Sequence, residues 1–283
     1  MTLPIAPFLL PLLMQAGPNP YAGAIPDYSA EVQDRPARIE NTVNAQAKPS
    51  WLEECLELVD SDPARAHSRA QIQRETATGN DRILANHCLG LAATKLSLWT
   101  EARAAFLAGR DEVPADDLRM RARLGAMAGN AAQAQGDRES ALNLLKQAYD
   151  NAQSASAGDL QAFIALDVAN LQVQAGQLES AAAMLAEARR LQPTNPDSWL
   201  LSATLMRRRD RLDEAQVEIE EAARLNPTDP QIALEAGVIA ILDGRDDAAR
   251  QSWDSVLTLE PEGPAADTAR YYLEQLGGTQ PNQ

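Results

Sequence analysis

The sequence predicts an all-α fold: a solenoid built from repeated helix-turn-helix units. Three observations carry that prediction. Leu191-Gln192-Pro193, Leu225-Asn226-Pro227 and Leu259-Glu260-Pro261 recur at a step of 34 residues, and a second proline keeps the step at Pro196, Pro230 and Pro264. A period of 34 is the length of one helix-turn-helix unit in a stacked array. Small residues recur at fixed offsets: Ala181, Ala215 and Ala249 stand twelve before each first proline, with Ala188, Ala222 and Val256 five before it. Aromatics make up only 4% of the chain, which suits helices packed through alanine and argues against an aromatic-rich sheet core.

Each unit reads as helix, tight turn, helix, turn. Gly176, Asp210 and Gly244 occupy the turn position after the first helix, where a left-handed backbone is needed. Proline ends the unit because the residue before it is pushed out of helical geometry. The three clear units are 162–195, 196–229 and 230–263. Leu89-Gly90, Ala102, Phe106 and Pro114 fit an earlier unit at 83–116; Gly129, Gly136, Ala141 and Ala148 fit one near 122–155. These two are longer, and the polar stretch Asn151–Gly158 either extends a helix or loops out. A degenerate first unit covers 50–81, with Trp51-Leu52 and Cys55-Leu56 in its first helix and Asp62-Pro63 opening its second. Residues 265–276 supply one final helix, stopped by Gly277-Gly278, which covers the last apolar face of the 50–277 array.

The pattern resembles the tetratricopeptide repeat family, over roughly Ser50–Leu276. In that register Trp199 matches the family aromatic and Gly237 the family glycine, while Ala169 and Ala203 replace that glycine in two units. The resemblance implies a right-handed α-solenoid with a C-terminal capping helix, of bacterial type. It also implies a concave groove, lined by the first helix of each unit, that holds a partner peptide. Carried over position by position, it selects Asn130, Asn170, Leu200, Arg207, Arg208, Leu234, Val238 and Ile241 as groove candidates. Asn130 and Asn170 can hydrogen-bond a peptide backbone as donor and acceptor. The apolar C-terminal lining suits hydrophobic side chains, with contact between neighbouring repeats as the plainer alternative. The family's carboxylate-clamp subgroup needs a lysine and an asparagine where His87 and Leu91 stand, so a receptor for acidic C-terminal tails is not expected.

Arg207, Arg208, Arg209 and Arg211 form a basic cluster in a chain of net charge −15. Two readings are open. The arginines complement a helix C-terminus, with Glu214, Glu218 and Glu220 as partners, or Arg207 and Arg208 anchor an acidic peptide by bidentate contacts. The overall acidity repels phosphate backbones and anionic membranes, which argues against nucleic-acid binding.

Residues 1–16 contain the apolar run Leu3–Met14, too short to span a bilayer and of the length of a signal-peptide core, although no Lys or Arg precedes Arg35. Residues 17–49 carry five prolines and little periodicity and read as a flexible leader, and 278–283 as a tail. A cleaved leader implies a periplasmic or secreted protein with no membrane insertion of the mature domain; an uncleaved one implies the cytoplasm. Cys55 and Cys88 fall in the first helices of neighbouring units. They are either a disulfide, if the chain is exported, or two buried thiols. Equivalent points on adjacent helices lie about 10 Å apart against a disulfide reach of roughly 7 Å, so thiols are the expectation.

No phosphate loop, nucleophile elbow or metal-ligand spacing is present, and the two histidines, His67 and His87, form no pair with a nucleophile. The sequence therefore points to a non-catalytic protein-interaction scaffold without cofactor or metal. The alternative is a self-assembling structural or envelope-associated oligomer, motivated by Tyr271, Tyr272 and Leu273 near the chain end.

Overall fold

The computed structural model describes residues 50–278, and the expected signal peptide, leader and last tail residues lie outside them. Thirteen helices account for the described residues: α1 (Trp51–Ser61), α2 (Pro63–Thr76), α3 (Asn80–Lys95), α4 (Trp99–Glu112), α5 (Leu118–Ala134), α6 (Arg138–Ser154), α7 (Gly158–Gln174), α8 (Leu178–Leu191), α9 (Pro196–Arg208), α10 (Leu212–Leu225), α11 (Pro230–Leu242), α12 (Asp246–Leu259) and α13 (Pro264–Gly278). The fold is an all-α solenoid of consecutive helix pairs. By compactness the described residues divide into two units, one holding those up to Val113 together with 127–141, the other holding 114–126 and those from Leu142 onward.

In the first unit α3 is the central element and packs against α1, α2 and α4. Ser50 opens α1 with a reciprocal cap: its hydroxyl accepts from the Glu53 amide and its own amide donates to the Glu53 carboxylate. That second bond holds the Glu53 carboxyl below its ordinary range. A single residue, Asp62, separates α1 from α2; it ends one helix and accepts from the Arg65 amide to start the next. The Arg103 guanidinium donates to Asp137 at 2.9 Å, tying α4 to the turn before α6.

In the second unit α7 pairs with α8, α9 with α10 and α11 with α12, and α13 closes against α12 and α11. The two recurring prolines have separate duties. Pro193, Pro227 and Pro261 fall in the turns after α8, α10 and α12, whereas Pro196, Pro230 and Pro264 are the first residues of α9, α11 and α13, where a missing N–H costs nothing. Asn195 and Asp229 cap α9 and α11 by accepting from the amides of Asp197 and Gln231. The turns between paired helices take positive φ at Gly136, Gly176, Asp210 and Gly244, as their position in the repeat predicts.

The extra length of the middle units is helical. The helices α5, α6 and α7 each have 17 residues, against 13 or 14 in α8 to α12. The start of α7 at Gly158 is accordingly four residues ahead of the unit boundary drawn at 162, and the Asn151–Gly158 stretch comprises the last turn of α6, a three-residue turn and the first residue of α7. Small residues recur in the core of each helix pair beside large ones such as Phe106, Leu145, Leu185 and Ile219. Ala102, Ala141, Ala181, Ala215 and Ala249 are all fully buried, as are Ala222 and Val256. Close approach of the paired helices is what these alanines allow.

Cys55 and Cys88 are joined in a disulfide, with α-carbons 6.4 Å apart. This corrects the expectation of free thiols. The 10 Å spacing applies to helix axes; two α-carbons that face each other lie closer by two helix radii of about 2.3 Å, leaving about 5.4 Å. Facing positions on α1 and α3 are therefore within bonding reach.

Candidate functional site

The first helices of the repeats in the second unit, α7, α9, α11 and α13, form a continuous layer, since α9 touches α7 and α11, and α11 touches α13. The candidate groove is the open face of that layer. Asn170 is half-buried on α7 and its Oδ1 accepts from Gln174 Nε2 at 3.4 Å. Asn130 is half-buried on α5 and belongs to the first unit, so the structure does not bring the two asparagines together in one unit. Leu200 is buried in the core of α9 and lines nothing accessible. Its selection as a groove residue is corrected: at this point the helix face turns toward its neighbours.

Leu234, Val238 and Ile241 are half-buried on α11 and pack against a cluster of Ala240, Ala249, Trp253, Val256, Ala265 and Ala269. One side of each is spent on the core and the other remains open. Leu242 continues the row at the helix end with 42% of its surface exposed, and Tyr271 on α13 has 40%. Tyr272 and Leu273 turn inward against the same cluster, and the Tyr272 ring lies 5.0 Å from that of Trp253. The outer side of α13 presents Asp267, Arg270, Glu274 and Gln275 to solvent.

The arginine cluster separates into distinct roles. Arg207 on α9 reaches the next first helix, where its Nε donates to Glu235 Oε1 at 2.6 Å and its Nη2 to Oε2 at 3.3 Å. The two side chains are only 8% and 13% exposed. Arg207 is thus a buried tie between repeats, and its assignment as a free acidic-peptide anchor is corrected. The local-partner reading is only partly right. Arg211 pairs with Glu214 as expected and Arg209 with Glu179 at 2.6 Å, while Glu218 pairs with Arg189 and Glu220 accepts from Gln216. Arg208 and Arg211 are both exposed, and of the four Arg208 is the one with no carboxylate partner among the described residues. Burial of its stem and the neighbouring Arg207 lower its pKa, against a smaller opposing pull from Glu235.

Two acidic groups sit at the opposite end of α9. Asp197 is half-buried and its carboxyl is pushed up, first by burial and second by the nearby Asp229. Burial likewise raises the Tyr272 hydroxyl, which lies in the opposed fields of Arg207 and Glu235. Glu235 was not selected from the sequence, and Tyr272 was named there only as part of a self-assembly surface. A carboxylate 28 residues from its arginine falls between the helical and the repeat spacings, so no periodic signal marks it.

Among the described residues no group of three or more His, Cys, Asp and Glu is placed to hold a metal ion. No helix among them is long and apolar enough to cross a membrane.

Comparison with known proteins agrees with the repeat geometry. A tetratricopeptide-repeat family profile matches residues 172–236. No curated protein matches the sequence. Among solved structures, pilF of Pseudomonas aeruginosa is 15% identical, with a TM-score of 0.63 over 79% of this chain and 96% of that one. The apo form of the quorum sensor NprR from B. thuringiensis is 13% identical, with a TM-score of 0.64 over 82% and 70%. A tetratricopeptide repeat protein from Parabacteroides merdae is 15% identical, with a TM-score of 0.56 over 69% and 73%. At such identities the likeness is one of fold. The 34-residue period, the buried alanines and the proline-started first helices agree with the profile match, so the described chain is an all-α solenoid of helix pairs in which residues 172–236 match the tetratricopeptide repeat.

Proposed function

We propose that this protein is a non-catalytic scaffold that holds a partner protein or peptide along the first-helix face of α9, α11 and α13. The observation that carries the reading is the half-open apolar row Leu234, Val238 and Ile241, continued by the exposed Leu242 and Tyr271. Apolar side chains that stay partly in water along one face are what a docking surface offers. Arg208 at the rim adds an unpaired cation that favours acidic groups beside apolar ones in the partner.

The test is a photo-crosslinking residue placed at Val238 in one protein and at Val217 in another. Val217 is 65% exposed on α10, a second helix, and serves as the control surface. Specific partner crosslinks from position 238 and none from 217 are expected. Equal labelling from both, or labelling from 217 alone, would remove the groove reading.

The Cys55–Cys88 bond supports the further proposal that the chain works in an oxidising compartment, periplasmic or extracellular. Mass spectrometry of the mature N-terminus tests it, since a protein still beginning at Met1 or Thr2 would contradict removal of residues 1–16.

A further inference from the structure

We propose that the Cys55–Cys88 disulfide is a redox-dependent clasp: α1 and α2 are docked only in the oxidised chain, and in the reduced chain the stable array begins at α3. The first helix pair has little else to hold it. Buried residues in α1 are Cys55 and Val59, and in α2 only Ala66 and Ala70, whereas nine residues of α3 and ten of α7 are buried. The one large aliphatic of α2, Ile72, faces water. Ordering two helices costs backbone entropy at every residue, and buried Val59, Ala66 and Ala70 with half-buried Trp51, Leu52, Leu56 and Leu58 offset only part of it.

Polar ties do not make up the difference. Glu54 and Arg69 pair within the helix pair and do nothing to dock it. Asp60 bridges to Lys95 on α3, but the two side chains are 77% and 50% exposed, and exposed pairs contribute little. The main polar link runs from α2 to α4, where Glu101 Oε1 accepts from Gln71 Nε2 at 3.0 Å and His67 Nε2 lies 3.1 Å from Oε2 without a hydrogen bond. It bears on α2 and not on α1, whose covalent tie to α3 is the disulfide.

The bond closes a loop between residues 33 apart in sequence, which spans the end of α1, all of α2 and the first half of α3. Chain-entropy arguments give such a loop about a 500-fold effect on the equilibrium between docked and open. Both cysteines are fully buried, so a reductant reaches them only from the open state. A dithiol reductant then supplies two electrons and two protons. Its first thiolate attacks one sulfur and releases the other cysteine as thiolate. Its second thiol displaces the mixed disulfide and leaves as the oxidised dithiol, with Cys55 and Cys88 both as thiols. Once the loop is open, the α3 surface around Cys88 is uncovered and the first-helix face is one helix shorter.

Hydrogen exchange read by mass spectrometry on the full chain tests this. The oxidised protein is compared with protein unfolded and refolded in dithiothreitol. Peptides over 51–76 are expected to exchange about two to three orders of magnitude faster when reduced, while those over 196–259 keep their protection. Two variants separate the bond from its volume: Cys55→Ala with Cys88→Ala, and Cys55→Val with Cys88→Ala. Both should behave like the reduced protein. Protection of 51–76 retained in the reduced chain, or lost only in the double-alanine variant, would overturn the clasp in favour of ordinary packing. Equal loss across 196–259 would overturn it too, because the effect would then be global.

Discussion

The indole of Trp253 on α12 occupies the space that a side chain at Gly237 on α11 would need, and its Nε1 donates to the Leu234 carbonyl at 3.3 Å. Gly90 and Phe106 stand in the same relation in the α3–α4 pair. Where Ala169 and Ala203 take the glycine place, the second helix answers with Leu185 and Ile219, both buried. The volume of the pair is conserved while its division between the helices changes. Gly237→Ala should therefore cost about 1–3 kcal/mol through overpacking. Adding Trp253→Leu should recover part of that loss, so that the two changes are less damaging together than their sum. Chemical denaturation of the two single variants and the double variant measures the coupling; strict additivity would refute the shared-volume account.

Removing Arg207 leaves Glu235 with most of its charge buried and unpaired. Arg207→Ala should lower stability by roughly 3 kcal/mol. Arg208→Ala, at an exposed rim position, should stay within about 0.5 kcal/mol. Thermal melts of the two variants side by side check the contrast. If the docking proposal holds, Arg208→Ala weakens partner binding in a salt-dependent way at unchanged stability.

Asp197 provides a pH test. Its folded pKa is raised, so the ionised carboxylate is penalised in the native state at neutral pH, and that penalty vanishes once the pH falls below the ordinary aspartate value of about 3.9. Asp197→Asn should stabilise the protein at pH 7, with a gain that shrinks to nothing on acidification through that range. Urea midpoints at pH 7, 5 and 3.5 read the trend. A gain that grows toward acid would reverse the assignment.

Asp210 holds φ at 60° in the turn where Gly176 and Gly244 stand in the flanking repeats. A left-handed residue with a Cβ carries a strain that glycine lacks, and Asp tolerates it better than most. Gly244→Ala should thus destabilise by about 1 kcal/mol, and Gly244→Asp by less. Calorimetric midpoints of the two variants give the order.

The period and the helix pairing were readable because proline and glycine mark positions where the backbone has few options. Pro196, Pro230 and Pro264 open helices for the same stereochemical reason each time, so their spacing survives in the sequence. The groove was less readable. Position in the repeat indicates which way a residue points, but not how far its neighbours crowd it; Leu200 and Arg207 are both covered for that reason. Glu235 escaped because a long guanidinium can select any of several carboxylates on the next helix. The disulfide was misjudged through a distance between axes where the distance between facing backbones decides.

The buried alanines separate two tasks that most globular folds assign to the same side chains. Ala102, Ala141, Ala181, Ala215 and Ala249 set how closely the helices lie, and they do so with methyl groups that no partner can touch. The residues proposed to meet a partner, such as Leu242 and Arg208, are exposed and take little part in that spacing. Recognition can therefore be rewritten one exposed position at a time while the array keeps its pitch, so the same architecture can acquire a new partner without being rebuilt.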